Sequence, residues 1–219
     1  MDLYFIPDDP EHTLLVSANG VPHYQIDTDE PFEDRPCVTL IQRPGASPEE
    51  CIVAEIEWRN RDTPTILRCP LLSGAAQYVG LQGTGIRSLH YLYKRHKFGS
   101  VRYFVGDDAF EYRWKPVKGG GCVLTRSDSN TEIASSMRVL GTEGIFAGEK
   151  KQVLRIQPCT LDIDLIILTF IIMERKRREH EGTEEMENEY GVHSSQVKSI
   201  NEAEDDGMVE LGDVEIGEL

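Results

Sequence analysis

Long hydrophobic runs are scarce in this chain of 219 residues; the longest, Leu165 to Met173, has nine positions and one polar member, Thr169. A membrane-spanning helix needs ~20 apolar residues to cover ~30 Å of hydrocarbon, and nine helical residues reach only ~14 Å. Extending the run back to Leu161 brings in Asp162 and Asp164, both costly in lipid, so no transmembrane helix is expected. Basic excess is lacking as well: the net charge is -15. A nucleic-acid binder needs a strong positive footprint, so nucleic acid is not an expected partner. The opening Met1 to Pro10 carries acid where the leading part of a secretory signal needs base, and no such signal is expected.

Catalytic and metal-binding patterns are missing too. The five cysteines (Cys37, Cys51, Cys69, Cys122, Cys159) are odd in number and share no short spacing, which fits reduced thiols in a cytoplasmic protein. The six histidines (His12, His23, His90, His96, His180, His193) are scattered, without the i, i+4 spacing or acid partner of a zinc or acyl-transfer site. Gly80-Leu-Gln-Gly-Thr-Gly85 lacks the Lys-Ser/Thr of a phosphate-binding loop. Asp107 and Asp108 read as turn residues, and Gly119 to Gly121 as a flexible turn. Neither an enzyme nor a cofactor or metal site is expected.

What the chain does contain is unevenly distributed. From Glu179 to Leu219 there are 14 acidic residues against one basic, a balance of -13, which leaves 24 acidic and 22 basic residues in the body. The division reads as a domain over residues 1–178 and a disordered acidic tail over 179–219, because the tail cannot bury enough apolar area to offset its ordering entropy. Its ending, Met208 to Ile216, alternates acidic and apolar residues and has the form of a short docking motif.

The body reads as strand after strand. Leu3–Ile6 comes first, then Thr13–Ser17 and His23–Thr28 around Ala18-Asn19-Gly20, a hairpin signal. Cys37–Arg43, Cys51–Trp58 and Thr65–Cys69 follow. In Cys51–Trp58, Ile52, Ala54, Ile56 and Trp58 alternate with Glu55 and Glu57. Leu71 to Gly85 reads as a long loop and Arg87–Lys94 as a short helix. Val101–Val105 then pairs with Ala109–Lys115 through Gly106-Asp107-Asp108, with Phe110, Tyr112 and Trp114 on one face and Glu111, Arg113 and Lys115 on the other. Cys122–Arg126 pairs with Thr131–Val139, and Gln152–Ile156 closes the series.

The run Leu165–Met173 has β-branched residues enough to read as a buried strand, but its flanks favour a helix. Thr160, Asp162 and Asp164 stand where a cap and first-turn charge belong, and Arg175–Arg178 where the negative C-terminal end needs base. Nine helical residues reach every side of the cylinder, so apolar wall is needed all round. A closed or nearly closed antiparallel sheet supplies it. The expected fold is mainly β, a barrel of about eleven or twelve strands wrapped round the C-terminal helix.

Asp2-Leu-Tyr-Phe-Ile-Pro-Asp-Asp-Pro10, Ala54-Glu-Ile-Glu-Trp58, Tyr112-Arg-Trp-Lys115, Glu132-Ile-Ala134 and Leu161 to Phe170 with Glu174 to Arg178 resemble an uncharacterised fungal domain family. That family is similar in plan to tubby C-terminal-like, LURP-one-like and scramblase-like domains, in which a barrel encloses a hydrophobic C-terminal helix. The resemblance covers Met1 to about Arg178; the length of Leu71–Gly85 and the acidic tail fall outside its pattern. Tubby-like domains bind phosphoinositides or act at membranes, so the resemblance implies a non-enzymatic, peripheral membrane role.

Three basic clusters are candidates for that role: Lys94, Arg95 and Lys97; Arg113, Lys115 and Lys118; and Arg175, Lys176, Arg177 and Arg178. Clustered bases near anionic phospholipid contribute ~1 kcal/mol each. The third cluster reads first as a solvated helix end favourable to the dipole or a partner for the tail's glutamates, and only then as a lipid contact. The other functional reading is a protein-interaction scaffold that docks a partner through the acidic tail or the Leu71–Gly85 loop.

Overall fold

The computed structural model describes residues 1–29, 36–45, 47, 51–58, 64–72, 85–96, 99–117 and 120–190, with backbone alone for 180–190. Most of the expected Leu71–Gly85 loop and residues 191–219 of the tail lie outside them. The described chain forms β1 (Asp2–Ile6), β2 (Thr13–Val16), β3 (Pro22–Thr28), β4 (Val38–Gln42), β5 (Ile52–Glu57), β6 (Ile66–Arg68) and β7 (Ile86–Arg87). A short α1 (Ser88–Tyr91) leads to β8 (Arg102–Val105), β9 (Glu111–Pro116), β10 (Cys122–Arg126), β11 (Glu132–Leu140) and β12 (Lys150–Ile156), and α2 (Ile163–Tyr190) follows.

All twelve strands join one antiparallel sheet in the order β7-β6-β5-β4-β3-β2-β1-β12-β11-β10-β9-β8. Every neighbour is also a neighbour in sequence except one pair, β1 with β12, where Leu3 faces Leu154. The two end strands, β7 and β8, are therefore consecutive along the chain. Between them Tyr93 exchanges two 2.9 Å backbone hydrogen bonds with Tyr103. The sheet stays open at this seam, so the wall expected to be closed or nearly closed is of the second kind.

Helix α2 fills the sheet. Leu165 through Met173 are each at most 2% exposed, and their contacts come from widely separated strands. Phe170 meets Phe5 of β1 and Trp114 of β9, both at 5.8 Å between ring centroids. Burying such side chains stabilises by ~1.5–3 kcal/mol each, which makes the helix the centre of the core and rules out the strand reading. Thr169 is accommodated because its hydroxyl donates to the Leu165 carbonyl at 2.7 Å and accepts from Trp114 Nε1 at 2.9 Å.

The helix start is anchored by carboxylates. Asp162 caps it, its Oδ1 accepting from the Asp164 amide at 2.8 Å. Asp164 turns inward, accepting from the Tyr24 hydroxyl at 2.7 Å and from Arg43 at 2.6 Å. Burial pushes the Asp164 carboxyl upward, against the opposing pull of those two donors. Thr160 does not cap the helix; its hydroxyl donates to Asp108 in the β8–β9 turn at 2.5 Å. Asp107 in the same turn accepts from the Asp162 amide at 3.1 Å, so the two aspartates latch that turn onto the helix start.

Several expectations change. The helix foreseen over Arg87–Lys94 is only Ser88–Tyr91, because Tyr93 is drawn into the sheet seam. Phe110 lies before β9 rather than in its inward row and is 39% exposed, with the Arg126 guanidinium over its ring. On the outer face of β5, Glu55 is buried opposite Arg68. Helix α2 continues beyond Arg178 to Tyr190, so the acidic segment begins as helix.

The outside of the sheet carries a second small core absent from the sequence reading. Tyr4, Val16 and Val153 share one outward row, and the 3-10 turn Gly144–Phe146 folds back so that Phe146 stacks on Tyr4 at 4.7 Å. Gly144, at φ +72°, lies so close to Ala18 that a Cβ there would sit 2.0 Å from its carbonyl oxygen, which explains glycine at this position.

Candidate functional site

The three basic clusters come to rest in two places. The first is the outer face of β8 and β9, near the open seam. Tyr112 and Trp114 point inward and are buried, which turns Glu111, Arg113 and Lys115 outward by the period of two. Tyr103 stands opposite Arg113, and the Arg95 guanidinium lies over the Tyr103 ring at 4.4 Å. The first and second clusters thus merge into one surface, with Lys94 beside it in sequence. Lys97 and Lys118 lie outside the described residues.

One carboxylate organises this face. Glu111 accepts from Arg95 at 2.7 and 2.6 Å and from the Tyr93 hydroxyl. Burial alone would raise its carboxyl, but the hydrogen bonds from Tyr93, Ser127 and Arg95 hold it below the ordinary glutamate value. Arg113 is held by neutral acceptors, Thr125 at 3.1 Å and Asn130. Its charge is therefore kept on the surface. Lys115 is exposed. Val105 and Val117, 49% and 45% exposed, stand at the two ends of the same face.

The second place is the rim where α2 emerges. Glu174 is 1% exposed and accepts from Arg177 at 2.8 and 2.7 Å and from Arg178 at 2.9 Å. Arg175 lies over the Trp58 ring at 4.1 Å and pairs with Glu11 at 3.0 Å and Glu179 at 3.1 Å. Asp8 takes Arg138 at 2.5 Å and faces Arg178 at 3.8 Å. Lys176 is half-buried nearby in sequence. Asp9, Pro10, Glu11, Arg175, Arg178 and Glu179 line a cavity of about 300 Å3 at this rim.

The chemistry of the two places differs. On β8–β9 Arg95 meets the Glu111 carboxylate, while Arg113 is held by the hydroxyl of Thr125 and the amide oxygen of Asn130. At the rim Arg175, Arg177 and Arg178 meet Asp8, Glu11, Glu174 and Glu179. The rim arginines were legible in sequence, and Glu174 stands four residues before Arg178, a spacing that sets the two side by side on the helix. Trp58, Asp8 and Glu11 as rim residues carried no local signal, since their approach to α2 is purely tertiary.

Remaining candidate chemistry is thin. His12 pairs with Asp27 at 2.9 Å, a hydrogen bond that raises the imidazole above its usual value. Burial pushes the Cys69 thiol up to about 11, the opposite of an activated nucleophile. Among the described residues, no group of three or more His, Cys, Asp or Glu is placed to hold a metal ion. Among them also, no helix is long and apolar enough to cross a membrane.

An antiparallel sheet curled round a buried C-terminal helix defines a mainly β domain. Residues 8–179 match a family described as a family of unknown function, DUF6593. The match spans most of the chain, and the protein belongs to that family. No curated protein and no solved structure matches it.

Proposed function

We propose that the chain is a non-enzymatic, tubby-like module at the cytoplasmic face of a membrane, binding anionic lipid headgroups through the outer face of β8 and β9. One observation carries this reading: Arg113 is positioned by neutral acceptors beside exposed Lys115, so among the described residues no carboxylate cancels their charge. Bases presented this way attract an anionic leaflet by ~1 kcal/mol each. Val105 and Val117 flank them, offering apolar contact at the headgroup level. The rim arginines Arg175, Arg177 and Arg178, paired with carboxylates, contribute less. Vesicle flotation tests the reading: wild type floats with phosphoinositide-containing vesicles, and Arg113→Gln/Lys115→Gln does not. Equal flotation of both proteins would defeat it.

A second reading, a scaffold that recruits a protein partner through the acidic segment, is supported by the continuation of α2 to Tyr190, which gives the start of that segment a regular backbone. Affinity capture that loses a defined partner when residues 191–219 are removed would favour it.

A further inference from the structure

The cavity beside the exit of α2 is chemically unlike the β8–β9 face. Its wall holds two guanidinium groups, Arg175 and Arg178, and three carboxylates, Asp9, Glu11 and Glu179. The side chains are pre-positioned. Arg175 is stacked on Trp58 and Arg178 is tied to Glu174, while Asp9 Oδ1 accepts from the Glu11 amide at 3.0 Å. Nη1 of Arg175 is closed off from solvent and faces Glu11 at 3.0 Å, so the guanidinium is already engaged on one side of the cavity.

We propose that this cavity binds a small zwitterion, a molecule carrying a phosphate or carboxylate and a cationic nitrogen on one short chain. The argument is one of charge balance. A simple anion drawn to Arg175 must displace Glu11 or Glu179 and leave that carboxylate facing negative charge. A simple cation drawn to Glu179 competes with the Arg175 guanidinium already seated there. A zwitterion exchanges one ion pair for two and leaves no charge without a partner, the condition under which partly buried ionic groups are tolerated. A volume of about 300 Å3 is at the small end of ligand sites, which restricts the occupant to a headgroup-sized molecule.

Calorimetric titration of the full chain with O-phosphoethanolamine, inorganic phosphate and ethanolamine tests this. Saturable binding of O-phosphoethanolamine, at least tenfold tighter than either half-molecule, is expected, with loss in Asp9→Asn. That variant keeps the acceptor for the Glu11 amide and should fold normally, as checked by circular dichroism. Phosphate binding as tightly as O-phosphoethanolamine, no saturable binding, or unchanged affinity in Asp9→Asn would each overturn the proposal. Flotation with phosphatidylethanolamine vesicles assigns the zwitterion to a lipid, and titration without flotation assigns it to a free solute. Arg113→Gln/Lys115→Gln leaves this site intact, so its fate is separable from that of the β8–β9 face.

Discussion

Two arginine-rich regions of one domain handle positive charge in opposite ways. On β8–β9 the bases line an exposed sheet face, and Arg113 is held by hydroxyl and amide acceptors. At the α2 rim three arginines meet four carboxylates, and the deepest of these, Glu174, is almost wholly buried. Similar residue types therefore serve different ends. The rim knots the core helix to the sheet, whereas the sheet face offers its charge outward. Counting Lys and Arg along the chain cannot separate the two cases; the identity of the acceptor does.

The sharpest way to break this contrast is at Glu174. Replacing it with Ala takes away the buried carboxylate that Arg177 and Arg178 share, and a loss of about 3 kcal/mol in urea unfolding is expected; the partial exposure of Arg178 keeps the figure at the low end. A loss below 1 kcal/mol would mean that the rim is not structural. Next in size, Arg113→Gln/Lys115→Gln is expected to weaken vesicle binding by about 2 kcal/mol, roughly 30-fold, with the urea midpoint unchanged. Raising salt to ~1 M, where screening acts within ~3 Å, should reproduce most of that loss in wild type.

A smaller effect concerns Glu111. Its carboxyl is held below the usual value, so the stability it contributes is present above the unfolded-state pKa and lost as pH falls through the lower folded value. Acid unfolding should therefore shift to higher pH in Arg95→Gln, which removes the guanidinium whose Nη2 donates to both Glu111 oxygens. No shift would detach Arg95 from Glu111. Smallest of all, Arg175→Lys gives up the planar stack on Trp58, and about 0.5–1 kcal/mol of stability is expected to go with it.

Much of the fold was legible because it rests on periodicity. Alternation in Tyr112, Trp114 and the residues between them marks β9, and nine apolar helical residues demand a surrounding wall. The pairing of β1 with β12 carries no such local mark, since the partners lie about 150 positions apart. The outer core under Phe146 was missed for a related reason: it is built by a turn folding back, and Tyr4, Val16 and Val153 read singly as ordinary outward strand residues. At the candidate surfaces, sequence located the bases but not their partners. Arg95 meets Glu111 and Tyr103 only because the seam brings Tyr93 beside β8.

The order of the strands has a consequence for the growing chain. Eleven strands leave the ribosome before β12 can close onto β1, and the apolar rod that fills the cylinder comes last of all. A half-made molecule is thus a hollow trough, its inner lining of Leu3, Phe5, Ile26, Ile41 and Trp114 wet and its terminal edges uncovered. Contacts so distant in sequence form slowly. During synthesis, the interval before Leu165–Met173 arrives is when this protein is most open to adhesion with its neighbours.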